Sequence, residues 1–150
     1  MAEHEKYMRL ALQEARTAAE AGEVPVGCVI TGPDGGVIGR GRNMREETGD
    51  ASAHAEVLAI RQACRTLGTW RLEGCVMYVT LEPCPMCAGA VVNSRIPTVV
   101  FGAKDAAAGS CGSVINLFEE RYGHRPAVYG GVLEAECSRL LSGFFKNIRT

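Results

Sequence analysis

The stretch Thr80–Ala90 (TLEPCPMCAGA) constrains the fold of this 150-residue chain more than any other segment. It continues a short apolar run, residues 75–80, whose β-branched and aromatic side chains predict a strand. Pro85 suits the first position of a helix, because proline has no N–H to lose there. Cys84 and Cys87 are three residues apart, so one helical turn brings both sulfurs to the same side. A helix N-terminus favours thiolates, and two thiolates are half of a tetrahedral metal site.

The other half of the metal site is predicted at His54, which opens a helix over residues 55–67 behind a cap-like segment, residues 50–52. Of the other two histidines, His4 lies in the N-terminal segment and His124 in a polar loop. One histidine and two cysteines give three protein ligands. Zinc held by three protein ligands keeps a fourth position for water, which is the catalytic rather than the closed structural pattern. We therefore predict one zinc ion per chain.

Glu56 is the predicted catalytic residue. It follows His54 by two positions and points elsewhere on the helical turn, so it need not bind the metal. A carboxylate that is not a ligand, beside an activated water, suits general acid–base catalysis. His-x-Glu followed by Pro-Cys-x-x-Cys is the signature of zinc-dependent nucleobase deaminases. Two alternatives are a pair of core cysteines with a surface histidine, and a structural zinc site, which would need a fourth protein ligand.

Composition restricts the class of protein. Hydrophobic residues make up 47% of the chain, and no apolar run approaches the roughly 20 residues of a membrane span. The N-terminus does not resemble a signal peptide. Seven cysteines, mostly in apolar contexts, favour free thiols in a reducing compartment. We expect one deaminase domain over residues 1–150, located in the cytoplasm. A net charge of −1 gives no global sign of nucleic-acid binding, so any RNA contact must be local.

Hydrophobic periodicity predicts five strands interleaved with helices. The expected strands cover residues 24–31, 37–43, 75–80, 98–102 and 127–132, and the expected helices residues 5–21, 55–67, 88–94, 114–120 and 134–146, with a loop over 44–52. This order predicts an α/β fold, a three-layer α/β/α sandwich around a five-stranded mixed sheet. Pro25 and Gly27, early in the first strand, suggest a strand end near a ligand.

The order of elements and motifs resembles the cytidine deaminase superfamily, and within it the bacterial tRNA-specific adenosine deaminases. The matching blocks are residues 23–27, 43, 53–56, 78–84, 87–90, 100–105 and 141–145. The resemblance implies a cytidine deaminase-like fold and a zinc-dependent hydrolase that converts the wobble adenosine of an anticodon to inosine and releases ammonia. It also implies a tRNA anticodon stem-loop as partner, and a homodimer that pairs through residues 88–92 and 94–96.

The resemblance assigns roles to individual residues. It implies that His54, Cys84 and Cys87 bind zinc, that Glu56 shuttles protons, and that Asn43, Val26, Asp105, Phe144 and Phe145 contact the substrate. Considered without the resemblance, Asn43 is a turn residue at a strand end and Asp105 is a helix cap or a solvated charge. The phenylalanines are then explained by packing of the last helix.

Two other functions remain open at this point. A small-molecule deaminase acting on guanine or cytosine would use the same metal chemistry, and the modest net charge favours it. A non-catalytic zinc module that binds RNA or a protein leaves Glu56 unexplained. The chain also departs from the family in two places. Only Lys146 and Arg149 follow the phenylalanine pair as basic residues, and the segment 45–50 is acidic for a surface that faces phosphate.

Overall fold

The computed structural model describes residues 2–148. In it, helices cover both faces of a five-stranded sheet. In chain order the elements are α1 (Ala2–Glu20), β1 (Gly27–Thr31), β2 (Val37–Arg42), α2 (Arg45–Thr48), α3 (Ala55–Leu67), β3 (Val76–Leu81), α4 (Pro85–Ser94), β4 (Thr98–Ala103), a 3₁₀ turn (Leu117–Glu119), β5 (Ala127–Tyr129) and α5 (Glu134–Ile148). None of the helices within residues 2–148 combines the length and apolarity needed to cross a membrane.

The sheet is mixed, with strand order β2-β1-β3-β4-β5. Strand β1 runs antiparallel to both β2 and β3, whereas β3, β4 and β5 are parallel to one another. The predicted five-stranded mixed sheet is confirmed. Because β3 and β4 are parallel, α4 must cross over between them, and its first turn therefore starts at the carboxyl end of β3.

Each face of the sheet has its own core. On one face, helices α3 and α4 bury residues such as Ala59 and Val91 against Met77 of β3. On the other face, Leu12 of α1 packs with Val29 and its neighbours, and α5 contributes Cys137. This arrangement gives the three layers that the alternation of strands and helices predicted.

Two glycines allow helices to approach the sheet closely. A Cβ atom on Gly27 would collide with the carbonyl oxygen of Ala11 in α1, and one on Gly41 with the carbonyl oxygen of Ala55 in α3. Gly27 itself is therefore explained by helix packing, and the suggestion that this strand end lies near a ligand stays a prediction. The contact at Gly41 holds the first turn of α3, and with it the neighbouring His54, against the sheet.

The first predicted strand begins later than expected. The Val26 N–H donates to the carbonyl oxygen of Val24 at 2.8 Å, so residues 24–26 form a tight turn and leave the ladder before Gly27. The predicted loop 44–52 contains helix α2. The buried carboxylate of Glu23 stabilises α2 by accepting hydrogen bonds from the N–H groups of residues 46 and 47.

Other element boundaries also differ from the prediction. The helix expected at 114–120 is reduced to the 3₁₀ turn, and the strand expected at 127–132 ends at Tyr129. The helix expected at 88–94 begins three residues earlier, at Pro85, as the proline signal indicated. Three of the residues expected to present an apolar dimerisation surface, Ala88, Val91 and Ile96, are instead fully buried in the core of the chain itself.

Candidate active site

The three predicted zinc ligands meet where helices α3 and α4 begin. His54 is the residue before α3, and Cys84 is the residue before α4, with Cys87 in the first turn of that helix. The His54 Nδ1 atom lies 3.6 Å from the Cys84 Sγ atom and 3.5 Å from the Cys87 Sγ atom. Within residues 2–148, this is the one group of three or more His, Cys, Asp or Glu side chains close enough to hold a metal ion.

The spacing of the three donor atoms fits zinc. With zinc–nitrogen and zinc–sulfur bonds of roughly 2.1 and 2.3 Å, a tetrahedral ion separates its nitrogen and sulfur ligands by about 3.6 Å. The observed nitrogen–sulfur distances of 3.6 and 3.5 Å match that value. One imidazole and two thiolates are donors that zinc prefers, and a set of three leaves one tetrahedral position for water. The cluster therefore fits one zinc ion per chain.

The proton distribution of the cluster favours metal binding. A hydrogen bond from the Cys87 thiol, and another from His54, lower the pKa of Cys84 to about 4, although burial opposes the shift. The same hydrogen bond to Cys84, together with burial, raises the pKa of Cys87 above its ordinary value. These opposite shifts favour a thiolate at Cys84, which is the form of cysteine that binds a metal.

Glu56 is buried beside this cluster, with 4% of its surface exposed, and its carboxylate is not part of the ligand group. Burial raises the pKa of the Glu56 carboxyl from 4.5 to about 7, because water no longer stabilises the charge. A carboxyl with a pKa near neutrality can both accept and return a proton.

His54 and Cys84 of the cluster, together with Glu56, line a cavity of about 210 Å³. Its wall consists of His54, Glu56, Cys84, Val24, Val26, Asn43, Arg45, Leu81, Glu82, Asp105 and Ala108. Three of the residues predicted to contact the substrate, Val26, Asn43 and Asp105, therefore lie around the same cavity as the candidate metal site. Sequence reasoning did not single out Arg45, Leu81 or Ala108, which have no distinguishing pattern of their own.

The Asn43 side chain holds two segments of the cavity wall together. Its Oδ1 atom accepts a hydrogen bond from the Ala55 N–H at 2.9 Å, and its Nδ2 atom donates to the carbonyl oxygen of Val24 at 3.2 Å. Asn43 thus satisfies a free N–H group at the start of α3. One Nδ2 hydrogen remains after these contacts, because an amide nitrogen has two.

Asp105 combines the two roles considered for it. Its Oδ1 atom accepts hydrogen bonds from the N–H groups of Ala107 at 3.0 Å and Ala108 at 3.2 Å, so the carboxylate caps a turn. The same residue lines the cavity. The helix-cap interpretation describes its local contacts, and a role toward substrate stays a prediction.

Glu82 is a site residue to which sequence reasoning gave no role. Glu82 is 2% exposed, and its carboxylate accepts hydrogen bonds from the N–H groups of Asp105, Cys111 and Ser113 and from the Ser113 hydroxyl. Burial by itself would raise the pKa of Glu82, but these hydrogen bonds hold it below its ordinary value of 4.5. Glu82 thereby fixes the loop 105–113 over the site. The available signal was a carboxylate directly after an apolar strand and two residues before Cys84.

Phe144 and Phe145 do not line the cavity that contains His54. They border an adjoining cavity of about 190 Å³, which shares Val24, Asn43 and Arg45 with the first. Their rings meet edge to face, with centroids 5.5 Å apart, and Phe145 is 43% exposed. Arg149, one of the basic residues after this pair, lies outside the described residues.

Comparisons with known proteins decide between the possible classes. The family model for the cytidine and deoxycytidylate deaminase zinc-binding region matches residues 1–103. The tRNA-specific adenosine deaminase of Bacillus subtilis (strain 168) is 53% identical over 99% of this chain and 92% of its own length. The chain belongs to the tRNA-specific adenosine deaminases. This similarity favours a deaminase over a non-catalytic zinc module.

Solved structures separate this family from other deaminases. One structure, from work on A-to-I editing by tRNA:A34 deaminases at the wobble position of transfer RNA, has a TM-score of 0.87 and 45% identity, and covers 91% of this chain and 99% of that one. The guanine deaminase from Bacillus subtilis has a TM-score of 0.66 and 32% identity, with coverage of 96% and 94%. This tRNA-specific adenosine deaminase thus shares its fold with a guanine deaminase but is more similar to the A34 enzyme.

Proposed function

We propose that the chain is a zinc-dependent tRNA adenosine deaminase that converts the wobble adenosine of an anticodon to inosine and releases ammonia. The observation that carries the proposal is a buried carboxyl, Glu56, beside a three-ligand zinc cluster in an open cavity. This arrangement occurs in a chain that matches a tRNA-specific adenosine deaminase over nearly its whole length. Hydrolytic deamination needs water, a proton carrier and room for one base, and the cavity provides the last two.

His54, Cys84 and Cys87 would hold the zinc ion. When bound, zinc supplies water activated for attack near neutral pH. Glu56 would take the first proton of the attacking water and give it to the ring nitrogen next to carbon 6 of adenine, as the water oxygen bonds to that carbon. It would then carry the second proton of the same water to the amine, which leaves as ammonia when the bond between carbon 6 and the amine nitrogen breaks. The net reaction consumes one water and releases one ammonia. Burial of Glu56 keeps this proton transfer away from bulk solvent.

The cavity wall would orient the base. The remaining Nδ2 hydrogen of Asn43 can donate to the extruded nucleotide, while its other contacts keep the amide fixed. Val26, with 4% of its surface exposed, contributes an apolar wall. Asp105 is held in the loop that Glu82 fixes. A base in an anticodon loop reaches such a cavity at small cost, because loop bases are already unpaired.

Phe144 and Phe145 are suited to the nucleotides beside the extruded base. Their cavity adjoins the first one, and aromatic rings stack on any base because every base has a π-face. A stacked base is worth roughly 1–3 kcal/mol. The packing explanation accounts for their contact with each other, but the 43% exposure of Phe145 leaves that ring available to RNA.

The test of this function is site-resolved. Incubation of the purified zinc-loaded protein with an anticodon stem-loop that carries adenosine at the wobble position should yield inosine at that position. A matched stem-loop with the adenosine moved one position along the loop is the control. If sequencing detects inosine equally at both positions, the proposed wobble specificity is contradicted; if it detects inosine at neither, tRNA adenosine deamination itself is contradicted.

A homodimer is the proposed assembly. The buried residues of α4 cannot form its surface, but Met86 of that helix is exposed, and so is Tyr122, which borders a cavity with residues of α4. Gly89 borders a cavity of about 200 Å³ beside Tyr122. A symmetric pairing of this face with a second copy would cover these side chains.

Light scattering of two glycine variants tests the dimer. A Cβ atom at Gly89 or at Gly143 meets nothing within 4 Å inside the chain, so a side chain can begin at both positions without a clash at Cβ. The mass of a dimer is expected for the unchanged protein and for Gly143→Arg, and the mass of a monomer for Gly89→Arg. A monomeric unchanged protein at micromolar concentration would refute the pairing.

Residues 1–150 are proposed to act as one deaminase domain in the cytoplasm. Both cores share a single sheet across residues 2–148, which supports one domain. All seven cysteines, which lie in the described part of the chain, are free thiols. Free thiols suit the reducing conditions of the cytoplasm.

A further inference from the structure

A groove larger than the three cavities described above lies at the β2 edge of the sheet. Its volume is about 510 Å³, and its walls are β2, the outward side of α3 and one residue of α1. Four arginines line it: Arg40, Arg42, Arg61 and Arg65. We refer to this feature as the arginine groove. A chain with a net charge of −1 and 16 basic residues thus places four of the 16 in one concave surface.

The charge of the arginine groove is only partly compensated. Glu14 is the one acidic residue of its lining, and it lies 3.9 Å from Arg40. Arg42 pairs at 3.0 Å with Glu47 of α2. Arg61 and Arg65 are exposed and make no ion pair within residues 2–148. They are four residues apart on α3, so both face the same side of the helix.

The edge of β2 does not offer a site for an added peptide strand. The Arg40 N–H already donates to the Gln62 side chain at 2.6 Å, and the Thr66 hydroxyl donates to the carbonyl oxygen of Ile38 at 2.8 Å. Strand addition requires free backbone groups on the edge strand. The arginine side chains, and not the backbone of β2, are therefore the groups available to a partner. Their positive charge suits an anionic partner.

The arginine groove adjoins the active-site cavity. Side chains of the segment 42–45 alternate between them: Arg42 and Met44 line the groove, whereas Asn43 and Arg45 line the cavity. Helix α3 also connects the two, because it begins after His54 and presents Leu58 to the groove one turn later. A strand whose base enters the cavity therefore passes near the groove.

We infer that the arginine groove binds the phosphodiester backbone of the RNA whose base is deaminated, with Arg61 and Arg65 as the unpaired contacts. The inference rests on the proposed function and specifies where a protein without net positive charge holds RNA. Arginine matches phosphate geometry with paired N–H donors. Each phosphate contact releases counterions and so makes binding depend on salt.

The experiment measures binding of the anticodon stem-loop as a function of salt concentration. The test protein carries Arg61→Gln and Arg65→Gln, which keep helix propensity. The matched control carries Arg16→Gln and Arg139→Gln, two exposed arginines of α1 and α5 on the other face of the sheet. Both variants change the net charge equally. Inosine formation at saturating RNA provides a second readout.

The groove variant should bind the stem-loop more weakly than the unchanged protein at low salt, with an unchanged rate at saturating RNA. Each phosphate contact contributes about −0.7 to −0.9 to the slope of log affinity against log salt, so two lost contacts flatten it by roughly 1.4 to 1.8. The difference in affinity between the two proteins should therefore shrink about tenfold between about 50 and 200 mM salt.

Three results would overturn the inference. One is a groove variant with the affinity and slope of the unchanged protein. Another is a control variant whose affinity for the stem-loop falls as much as that of the groove variant, which would mean that only the overall charge of the protein matters. A third is a lower rate at saturating RNA with unchanged affinity. Failure of the unchanged protein to deaminate the stem-loop would instead refute the proposed function, so the two failures are distinguishable.

Discussion

Glu56 and the three candidate zinc ligands differ in burial and in proton affinity, and these differences divide the chemistry among them. The lowered pKa of Cys84 favours a metal-binding thiolate, whereas the raised pKa of Glu56 favours a proton carrier. The first assignment rests on hydrogen bonds from Cys87 and His54, and the second on burial of the Glu56 carboxyl. Substitutions at these residues should therefore separate catalysis from metal binding.

Glu56→Gln should lower the rate of inosine formation at least about 100-fold, because an amide of equal size cannot transfer protons. Zinc content, measured by elemental analysis of the same preparation, should stay at one ion per chain. Loss of zinc from this variant would show that Glu56 supports the metal, and would contradict its role as the proton carrier.

Cys87→Ala should remove zinc as well as activity, because two remaining protein ligands do not hold the ion firmly. Cys28→Ala is a suitable control, since Cys28 is a buried free thiol outside the candidate cluster. The control should retain about one zinc per chain. Full zinc occupancy in purified Cys87→Ala would show that the ligand assignment is wrong.

At the scale of single residues, spacing predicted which side chains would come together but not everything that surrounds them. His54, Cys84 and Cys87 were predicted as a group because each is tied to a helix start. The loop that Glu82 holds lies more than 20 residues later in the chain, so no local pattern reveals those hydrogen bonds. The predicted roles of Val26, Asn43 and Asp105 toward substrate stay predictions.

The loop 105–113 is the element that depends most on one distant side chain. Glu82 accepts its hydrogen bonds from three backbone groups and one hydroxyl, and a Cβ atom at Gly109 would collide with the Glu82 carboxylate. This close contact explains why glycine stands at position 109. The loop contributes Asp105 and Ala108 to the cavity wall.

Glu82→Ala should lower the free energy of unfolding by about 1–3 kcal/mol, because buried N–H groups lose their acceptor. Urea denaturation is the measurement. Glu73→Ala, at a side chain that is 68% exposed, should change stability by less than about 0.5 kcal/mol. Equal stability of Glu82→Ala and the unchanged protein would contradict the role of Glu82 in fixing the loop.

The same interaction has a predictable pH dependence. Because the folded-state pKa of Glu82 lies below 4.5, its ionised form stabilises the protein above that pH, and the contribution is lost as pH falls through the folded-state pKa. The stability advantage of the unchanged protein over Glu82→Gln should therefore shrink below about pH 4.5. An advantage that grows on acidification would contradict the assignment.

Elements with strong periodicity were predictable, and those that depend on distant contacts were not. Helix α3 matches its predicted span because Gly68 ends it. Helix α2 is only four residues long and depends on the Glu23 carboxylate, more than 20 residues earlier in the chain. The tight turn at 24–26 could not be predicted either, because it lies in an apolar run that resembles a strand.

At the scale of the whole molecule, the mixed sheet brings distant segments to one end, where the carboxyl end of β3 meets the segments before α3 and α4. The cavity, the phenylalanine pair and the arginine groove border one another around the segment 42–45. Alternation of strands and helices predicted this architecture. The groove was not predictable, because its arginines become neighbours only when α3 packs on β2.

The most direct test of the account measures ammonia release by one zinc-loaded preparation from several substrates in parallel. The substrates are the anticodon stem-loop with wobble adenosine, free guanine, free cytosine and free adenine. We predict stoichiometric ammonia and inosine from the stem-loop, and no release above background from the free bases. Rapid ammonia release from free guanine or cytosine, with an unchanged stem-loop, would contradict the central claim and identify a small-molecule deaminase.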